Sequence, residues 1–363
     1  MNGPNCLTCT IVKGDNGRKE TSVRNVIKLK RLREFVNLRF RHKLSLTTLA
    51  IVSSFLGATA YGGVVVGDTP IGDNPQVVLG LPTSESDSSI TVSRKQYVIS
   101  WNFERRIPEW VAWSLNKRLL GEVTRSNVFR LDRDLDEALV EQNMDSVGPG
   151  DYRGSCLDRG HQVPSGDRTA TENDNESTFQ MSNVLPQSAH LNRRTWVSLE
   201  RFLRRQVLEN NQTLQIYAGV IPDTRSSVIG PNSDIHVPAA NFKVAVFLPT
   251  PKNKLKKTQF FVVNFPNLTS KGTHPVKDHK QACWDSEHTV RLDETNRQSY
   301  WREHLTKLNS IEKHSGLQFE FLDDAHEMTA AEVDQLIADE NQKYFNVQTQ
   351  TYLQPSAIHQ SAP

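Results

Sequence analysis

Three short apolar runs in the second half of the chain limit the folds that it can adopt. Residues 214–221 (LQIYAGVI), 241–249 (NFKVAVFLP) and 259–266 (QFFVVNFP) have the length and the composition of buried strands. A further candidate strand, 97–103 (YVISWNF), alternates apolar and polar side chains, and residues 106–115 stay apolar in a way that continues the same sheet. The sequence therefore predicts a β-sheet assembled from distant parts of the chain.

Helical patterns alternate with these strands. In residues 188–209, Leu199, Phe202, Leu203 and Val207 fall on one stripe of a helix. The interleaving of both patterns predicts an α+β domain, with a mixed or antiparallel central sheet flanked by helices.

The C-terminal part continues this alternation. Residues 292–305 are predicted as a helix, and residues 311–322 as a helix followed by a strand. Thr329 and Glu332 form a capping-box pattern that opens a further helix. After Phe345 the chain is rich in Gln, Thr, Ser and Pro, so we expect residues 323–363 to comprise a helix and a disordered tail.

Charge is unevenly distributed. Residues 1–60 hold 11 Lys and Arg against 3 Asp and Glu, a net charge of +8, whereas the remainder holds 32 against 38, a net charge of −6. The overall charge therefore does not indicate a nucleic-acid-binding protein, and any attraction to phosphate must come from local clusters.

An uncharged run follows a basic leader. The leader is residues 1–43, and residues 44–66 carry no charge and contain Ala58-Thr59-Ala60. This arrangement predicts a signal peptide cleaved after Ala60, or an uncleaved anchor, because the run is also long enough to span a bilayer. We therefore expect a secreted or periplasmic protein, with a membrane-anchored protein as the alternative; a mitochondrial presequence fits less well. Residues 67–90, rich in Gly, Pro, Asp and Ser, are predicted as a linker, and residues 91–322 as the main domain.

Two cysteines lie in the part that would be exported. An oxidising compartment permits a disulfide between Cys156 and Cys283, although the sequence alone leaves this open. His274, His279 and His288 lie near Cys283, but their spacings match no zinc pattern.

Residues 157–168 (LDRGHQVPSGDR) concentrate charge around one imidazole. His161 is the side chain best suited to take a proton near neutral pH. Asp158 could orient it, and Arg159 could hold an anion beside it. Because Gly160 and Gly166 interrupt regular structure, we expect this segment to be a loop.

The predicted helix 188–209 offers a second polar set. Asn192 and Glu200 are eight positions apart, which places them about 80° apart on an α-helix. Glu200 and Arg204 have the i, i+4 spacing of a stabilising ion pair. One carboxamide and one carboxylate suit a hydrated Mg²⁺ ion.

Three blocks in this order, DRGHQVPSGDR, STFQMSNVLPQ and LNRRTWVSLE, resemble the DNA/RNA non-specific endonuclease family, whose fold is the ββα-metal fold. The resemblance covers roughly residues 91–322. It implies that His161 is the general base, that Asn192 is a direct Mg²⁺ ligand, and that Glu200 holds metal-bound water. It also implies that Arg159 and Arg204 lie near the phosphate, and that Asp158 is a supporting acid.

The same resemblance implies positions for the remaining arginines. Arg130, in the sequence FRLD, falls where the family often places an arginine near the scissile phosphate. The acidic body of the chain, rather than the resemblance, leaves substrate binding to local basic clusters, so we expect Arg193, Arg194, the cluster at 201–205 and the lysine-rich residues 252–257 to bind substrate.

The resemblance implies a metal-dependent endonuclease that uses Mg²⁺, or Mn²⁺ as a substitute. Such an enzyme would cleave DNA and RNA without regard to sequence or sugar and leave 5′-phosphate ends. The expected partners are the two polymers and a dedicated protein inhibitor. Three alternatives stay open: a catalytically decayed exported nucleic-acid-binding protein, a membrane-anchored interaction protein, and a phosphoesterase for small substrates.

Overall fold

The computed structural model describes residues 64–84, 86–223, 227–253, 255–293 and 295–353. The predicted basic leader 1–43 lies outside the described residues, as does the predicted signal or anchor segment except for Val64–Val66. Within the described ranges, every helix is too short or too polar to cross a membrane.

The strands are distributed along the whole described chain. In order they are β1 Val64–Val66, β2 Thr83–Ser84, β3 Ser89–Arg94, β4 Tyr97–Asn102, β5 Ile107–Leu115, β6 Asp158–His161, β7 Val184–Gln187, β8 Leu214–Ile221, β9 Val228–Ile229, β10 Ile235–His236, β11 Ala240–Phe247, β12 Gln259–Pro266, β13 Leu305–Thr306, β14 Leu317–Gln318 and β15 His326–Glu327.

The helices lie between and after these strands. The α-helices are α1 Arg133–Val140, α2 Glu172–Ser177, α3 Val197–Asn210, α4 His279–His288, α5 Leu308–Ser315 and α6 Ala330–Leu353; a π-helical segment, Leu191–Trp196, runs directly into α3. Short 3₁₀ turns occupy Ile71–Asp73, Lys117–Leu119, Pro149–Tyr152, Ser165–Asp167, Met181–Asn183, Arg302–His304 and Glu320–Leu322.

A nine-stranded mixed sheet forms the centre of the described chain. Its strand order is β1-β3-β4-β5-β8-β11-β12-β13, with β15 also paired to β12. The β1–β3 and β12–β15 pairs are parallel, and the other pairs are antiparallel. The predictions of an α+β fold and of strands at 97–103, 106–115, 214–221, 241–249 and 259–266 are confirmed.

The central strands are covered on both faces. All residues of β5 and β11 are buried, which explains why these strands are apolar at nearly every position rather than at alternate ones. The stripe predicted on the helix is buried against this sheet. Within it, Phe202 packs against Phe261 and Trp301 at ring-centroid distances of 6.4 and 4.8 Å. Each such side chain contributes roughly 1.5–3 kcal/mol by burial.

A smaller two-stranded unit lies beside the main sheet. In it, β6 pairs with β7 in antiparallel fashion, with Asp158 opposite Gln187 and His161 opposite Val184, and the π-segment and α3 follow. A Cβ at position 160 would lie 2.2 Å from Gln187 Oε1, so any larger residue would displace the buried Gln187 side chain. The prediction that His161 lies in a loop is wrong: Gly160 permits a close strand pairing instead of breaking it.

The segment predicted as a linker packs against the sheet. Asn74 donates to Ser93 Oγ and to the Arg94 carbonyl, both at 2.9 Å, and Gln76 donates to the Lys95 carbonyl at 2.8 Å. Both side chains are buried. Residues 67–90 therefore contribute polar anchors to the domain.

Helix signals near the C-terminus are only partly confirmed. The prediction of a helix over 292–305 is wrong, because Asp293 Oδ1 accepts hydrogen bonds from the backbone N–H groups of Thr295 and Asn296, both at 3.0 Å. These bonds favour a turn over a helix. Conversely, the sequence analysis did not predict α4. Asp278 caps this helix by accepting a hydrogen bond from Gln281 N at 3.1 Å.

The predicted capping box before α6 is confirmed. Thr329 Oγ1 accepts from Glu332 N at 3.3 Å, and Glu332 Oε2 accepts from Thr329 N at 2.7 Å. The helix continues to Leu353, so the prediction of disorder directly after Phe345 is wrong. Residues 354–363 lie outside the described residues.

Candidate active site

A cleft of about 210 Å³ opens over β6, the π-segment and the first turn of α3. Most of its polar lining comes from the motifs singled out in the sequence. Its lining comprises Arg125, Arg159, His161, Pro164, Ser165, Gly166, Thr169, Asn175, Asn192, Glu200, Arg204 and Arg291.

His161, the last residue of β6, presents its imidazole between two aromatic rings. The ring centroids of Phe129 and Phe179 lie 5.1 and 4.7 Å from that of the imidazole. Trp196 Nε1 donates to the His161 carbonyl at 3.2 Å and holds the backbone in place. Nε2 of the ring is buried and has no hydrogen-bond partner among the described residues.

Burial lowers the pKa of His161 well below the usual value of 6.5, and the charges of Arg125 and Arg291 lower it further. A hydrogen bond from the ring to the Arg159 backbone opposes this shift, although it does not outweigh it. The imidazole is therefore neutral at neutral pH. Because Nε2 lacks a partner, it is positioned to accept a proton from a molecule in the cleft.

Asp158, at the other end of β6, is saturated with hydrogen bonds. Its Oδ2 accepts from Asn192 Nδ2 and from Arg193 Nε, both at 2.8 Å, and its Oδ1 accepts from Arg193 Nη2 at 2.6 Å. Asp158 is outside the cleft lining. It positions Asn192, whose amide nitrogen it engages, and so leaves the carbonyl oxygen Oδ1 available to a cation.

Asn192 and Arg193 lie on the π-segment and not on a regular α-helix. The Arg193 carbonyl accepts from Leu292 N at 3.0 Å, while Val197 N bonds to the Arg194 carbonyl. A distant loop thus takes the carbonyl that an α-helical Val197 N–H would have used. The sequence analysis assumed a regular α-helix from Asn192 to Glu200 and so missed the π-segment. Asn192 and Glu200 nevertheless line the same cleft. Single π-turns are frequent at functional sites.

Glu200 is buried between two cationic side chains. Lys243 Nζ lies 3.7 Å from Oε1, and Arg291 Nη2 lies 3.9 Å from Oε2. Lys243, on β11, also lies 4.1 Å from the Trp196 ring centroid, and burial lowers its pKa. The prediction of a Glu200–Arg204 pair missed these two partners, because both come from distant parts of the chain. Arg204 donates to Asp167 Oδ1 at 2.9 Å.

Arg125 lines the cleft and was missed in the sequence. Its guanidinium donates to Ser165 Oγ at 2.7 Å and lies 4.7 Å above the Phe179 ring. Burial, followed by the charge of Arg291, lowers the pKa of Arg125 to about 10. The only local signal is that TRSNVFR contains two arginines five residues apart.

The sequence analysis assigned Arg130, and not Arg125, to the site. Arg130 pairs with Glu176 at 3.0 Å, with both side chains substantially exposed, and it is outside the cleft lining. The prediction that Arg130 lies at the site is wrong, because its guanidinium pairs with Glu176 outside the cleft lining. Arg159 does line the cleft, with its guanidinium 4.1 Å above the Phe129 ring.

Most arginines of the predicted binding clusters have structural roles. Besides Asp158, Arg193 binds the carbonyls of Ser286 and Thr289 at 2.8 and 3.0 Å. Arg194 lies 5.4 Å above the Tyr300 ring. Neither arginine lines the cleft, so their assignment as substrate-binding residues is not supported. In the cluster 201–205, Arg201 donates to the Asp293 carbonyl and Arg205 to Glu340.

A disulfide joins Cys156 to Cys283 and so links the start of β6 to α4. His279 lies beside it, and the candidate ligand atoms of these three residues lie within 4.8 Å of one another. Because both sulfurs are bonded to each other, neither is a thiolate that could bind zinc. Together with Arg193, the disulfide attaches α4 to the candidate active site.

The donors in the cleft fit a hard divalent cation. Asn192 offers Oδ1, since its nitrogen is engaged by Asp158, and Glu200 offers carboxylate oxygens. Oxygen donors in small number suit Mg²⁺, which keeps several of its waters. Lys243 and Arg291 offset the charge of Glu200, which disfavours a dehydrated cation bound by the carboxylate alone.

Comparisons with known proteins point in one direction. A family model described as DNA/RNA non-specific endonuclease matches residues 76–326. A nuclease from Nostoc sp. is 33% identical over 233 residues, covering 58% of this chain and 82% of that protein. Mitochondrial endonuclease G from Homo sapiens is 31% identical over 166 residues, covering 42% of this chain and 53% of the relative.

A solved structure supports the fold. The chain matches the crystal structure of the EndoG/EndoGI complex with a TM-score of 0.50 and 22% identity, covering 69% of this chain and 92% of that one. The predicted α+β architecture of the ββα-metal type is confirmed by this likeness, together with the β6–β7–helix unit.

Proposed function

The chain belongs to the DNA/RNA non-specific endonuclease family and is a nuclease, a hydrolase, and from this premise we propose that it cleaves both DNA and RNA. The proposed reaction depends on a divalent metal ion, ignores sequence and sugar, and leaves 5′-phosphate ends. The observation that carries the proposal is the buried, neutral imidazole of His161, whose Nε2 has no partner among the described residues, in a cleft lined by arginines.

His161 acts as the general base in this mechanism. Nε2 accepts a proton from water as the water oxygen forms its bond to phosphorus. The bond from phosphorus to O3′ then breaks, and the departing O3′ takes a proton from solvent. The aromatic rings of Phe129 and Phe179 pack against the base and keep it in place.

The cleft arginines bind the phosphate and stabilise the charge that develops on its oxygens. Arg125, Arg159 and Arg204 present guanidinium groups to this space. Fixed cationic donors in a partly desolvated site stabilise a developing oxyanion more strongly than water does. Asp167 positions Arg204, and Ser165 positions Arg125.

Asn192 and Glu200 would hold the metal ion, which we propose to be Mg²⁺, with Mn²⁺ as a substitute. When bound, the ion supplies Lewis-acid stabilisation of the phosphate charge. Asp158 keeps the Asn192 oxygen turned to the cleft by engaging its amide nitrogen.

Lack of sequence preference follows from the chemistry of the lining. Its charged groups suit phosphate, and phosphate contacts carry no base information. Because each contact to phosphate releases counterions, we expect activity to fall steeply as salt concentration rises.

We also propose that the protein acts after export. The disulfide between Cys156 and Cys283 supports an oxidising compartment. Secretion or periplasmic release is preferred to membrane anchoring, and fractionation of the producing cells separates the two. A dedicated protein inhibitor is a further proposed partner, because an unselective nuclease endangers the cell that makes it.

The test uses purified protein with supercoiled plasmid and with total RNA, in Mg²⁺, in Mn²⁺ or in EDTA. We expect degradation of both polymers in either metal, no degradation in EDTA, and products that ligase joins without prior phosphorylation. Binding without cleavage by well-folded protein would favour the decayed-binder alternative. Cleavage of small phosphoesters alone would favour the phosphoesterase alternative.

A further inference from the structure

One tryptophan differs from all the others. Trp101, Trp110, Trp113, Trp196 and Trp301 are at most 3% exposed, whereas Trp284, on α4, is 52% exposed. A large apolar ring in water loses the stabilisation that burial provides elsewhere in the chain. An exposed aromatic side chain of this kind is a candidate contact for a ligand.

Trp284 is held in one orientation by its neighbour on the helix. The rings of Trp284 and His288 are stacked, with centroids 4.3 Å apart and planes inclined by 7°. His288 Nδ1 lies 2.7 Å from the Trp284 carbonyl, which fixes the imidazole at one helical turn's distance. We call these two rings the α4 stack. It is a flat, solvent-facing aromatic surface.

The end of α4 that carries the stack is attached to the candidate active site. Arg193, adjacent to Asn192, binds the carbonyls of Ser286 and Thr289. Three residues beyond His288, Arg291 lines the cleft. Three residues of extended chain span at most about 11 Å, and one helical turn from His288 to Trp284 adds about 6 Å. The stack is therefore within a few nucleotides of the cleft.

We propose that the α4 stack is a nucleobase-binding subsite that takes an unpaired base of the substrate strand within a few nucleotides of the scissile phosphate. This inference rests on the proposed nuclease function. Every base has a π-face, so stacking on an aromatic ring tolerates all four bases. A subsite of this kind would add affinity without adding sequence preference, which matches a cleft that binds phosphate.

The proposal predicts a preference that phosphate contacts alone would not produce. Bases in a single strand can stack on the indole, whereas bases within a duplex are already stacked and paired. Trp284→Ala should therefore weaken binding of single strands more than binding of duplexes. The loss is expected to be about five- to 150-fold in KM, with little change in kcat.

The first experiment compares wild type, Trp284→Ala and Trp284→Phe on single-stranded oligothymidylate and on the same strand annealed to oligoadenylate. Val140→Ala, which truncates an exposed apolar residue on α1 outside the cleft lining, is the matched control. We expect KM for the single strand to rise in Trp284→Ala, to be largely retained in Trp284→Phe, and to be unchanged in the control. Equal KM values for wild type and Trp284→Ala would overturn the proposal.

A second readout does not depend on turnover. Because Trp284 is the exposed tryptophan, a base stacked on it should quench intrinsic fluorescence when His161→Ala protein is titrated with oligothymidylate. The quench should disappear in the double variant His161→Ala, Trp284→Phe. Persistence of the quench in the double variant would refute the subsite. A change in the sedimentation of Trp284→Ala without any change in KM would also refute it, and would assign the surface to a second copy of the chain. If wild type cleaves neither substrate, the nuclease proposal itself fails, which is a distinct result.

Discussion

Asp158 and His161 are three residues apart on the same strand, yet their environments are opposite. The carboxylate of Asp158 accepts three hydrogen bonds from Asn192 and Arg193. The Nε2 atom of His161 is buried and accepts none from the described residues. At one end of β6 the Asp158 carboxylate is bound by other residues of the protein, and at the other end His161 Nε2 is left to interact with the substrate.

The difference separates residues that position from residues that react. An unsatisfied buried polar atom costs about 1–3 kcal/mol, so its presence in a folded protein calls for a functional reason. The same contrast divides the arginines. Arg193 is bound on all sides by protein acceptors, whereas Arg125 and Arg159 line the cleft.

The largest expected effect comes from removing the reactive end. His161→Ala should lower kcat by about 100- to 10,000-fold, the range for loss of a general base, while the protein stays folded. His190→Ala, which removes an exposed imidazole outside the cleft lining, is the control. Turnover of His161→Ala close to wild type would remove His161 as the base.

Removing the positioning end should act through the metal. Asp158→Asn weakens the hold on the Asn192 amide, so the Mg²⁺ concentration for half-maximal activity should rise about 10- to 100-fold, as for other residues that orient a metal ligand. Asp324→Asn, at an exposed position, is the control. An unchanged Mg²⁺ titration would show that Asp158 does not position the ligand.

The two arginines five residues apart sharpen the comparison further. Arg125→Ala should lower kcat/KM about tenfold or more, because a charge-assisted hydrogen bond contributes roughly 1.5–3 kcal/mol. Arg130→Ala should leave kcat unchanged and alter the unfolding free energy by about 0–1 kcal/mol, as for an exposed ion pair. Equal losses in the two variants would contradict the placement of Arg130 outside the cleft.

The disulfide should affect stability more than chemistry. Replacing Cys156 and Cys283 by serine opens a loop whose ends are separated by 127 positions, and the unfolding free energy should fall by about 2–4 kcal/mol. Because Arg193 still attaches α4 to β6, turnover below the new melting temperature should change little. Denaturant unfolding and activity at low temperature check both parts.

The local sequence pattern was sufficient to predict those strands and helix faces that are marked by runs or regular spacing of apolar residues. The strands β8, β11 and β12 and the apolar face of α3 follow from runs of aliphatic and aromatic side chains. The motif around His161 and Asn192 was identified by resemblance, and the structure brings His161, Asn192, Glu200, Arg159 and Arg204 to one cleft. Asp158 lies behind them as a support.

What the sequence did not predict depends on contacts between distant residues. At the π-segment that carries Asn192, the Arg193 carbonyl accepts from Leu292 N, and the environment of Glu200 is set by Lys243 and Arg291. Arg125 and Arg130 cannot be told apart by local pattern, because their different contacts come from distant residues: Phe179 and Ser165 for Arg125, and Glu176 for Arg130.

The central claim is that His161 is a base kept neutral by its surroundings, and the dependence of kcat/KM on pH tests it most directly. Because burial lowers the pKa of His161 below 6.5, the imidazole stays unprotonated until the pH falls below that value. The account predicts a wild-type activity that is retained through pH 6.5 and lost only well below it, and a residual His161→Ala activity without this acid limb. An acid limb centred at or above pH 6.5, or the same limb in both proteins, would contradict the account.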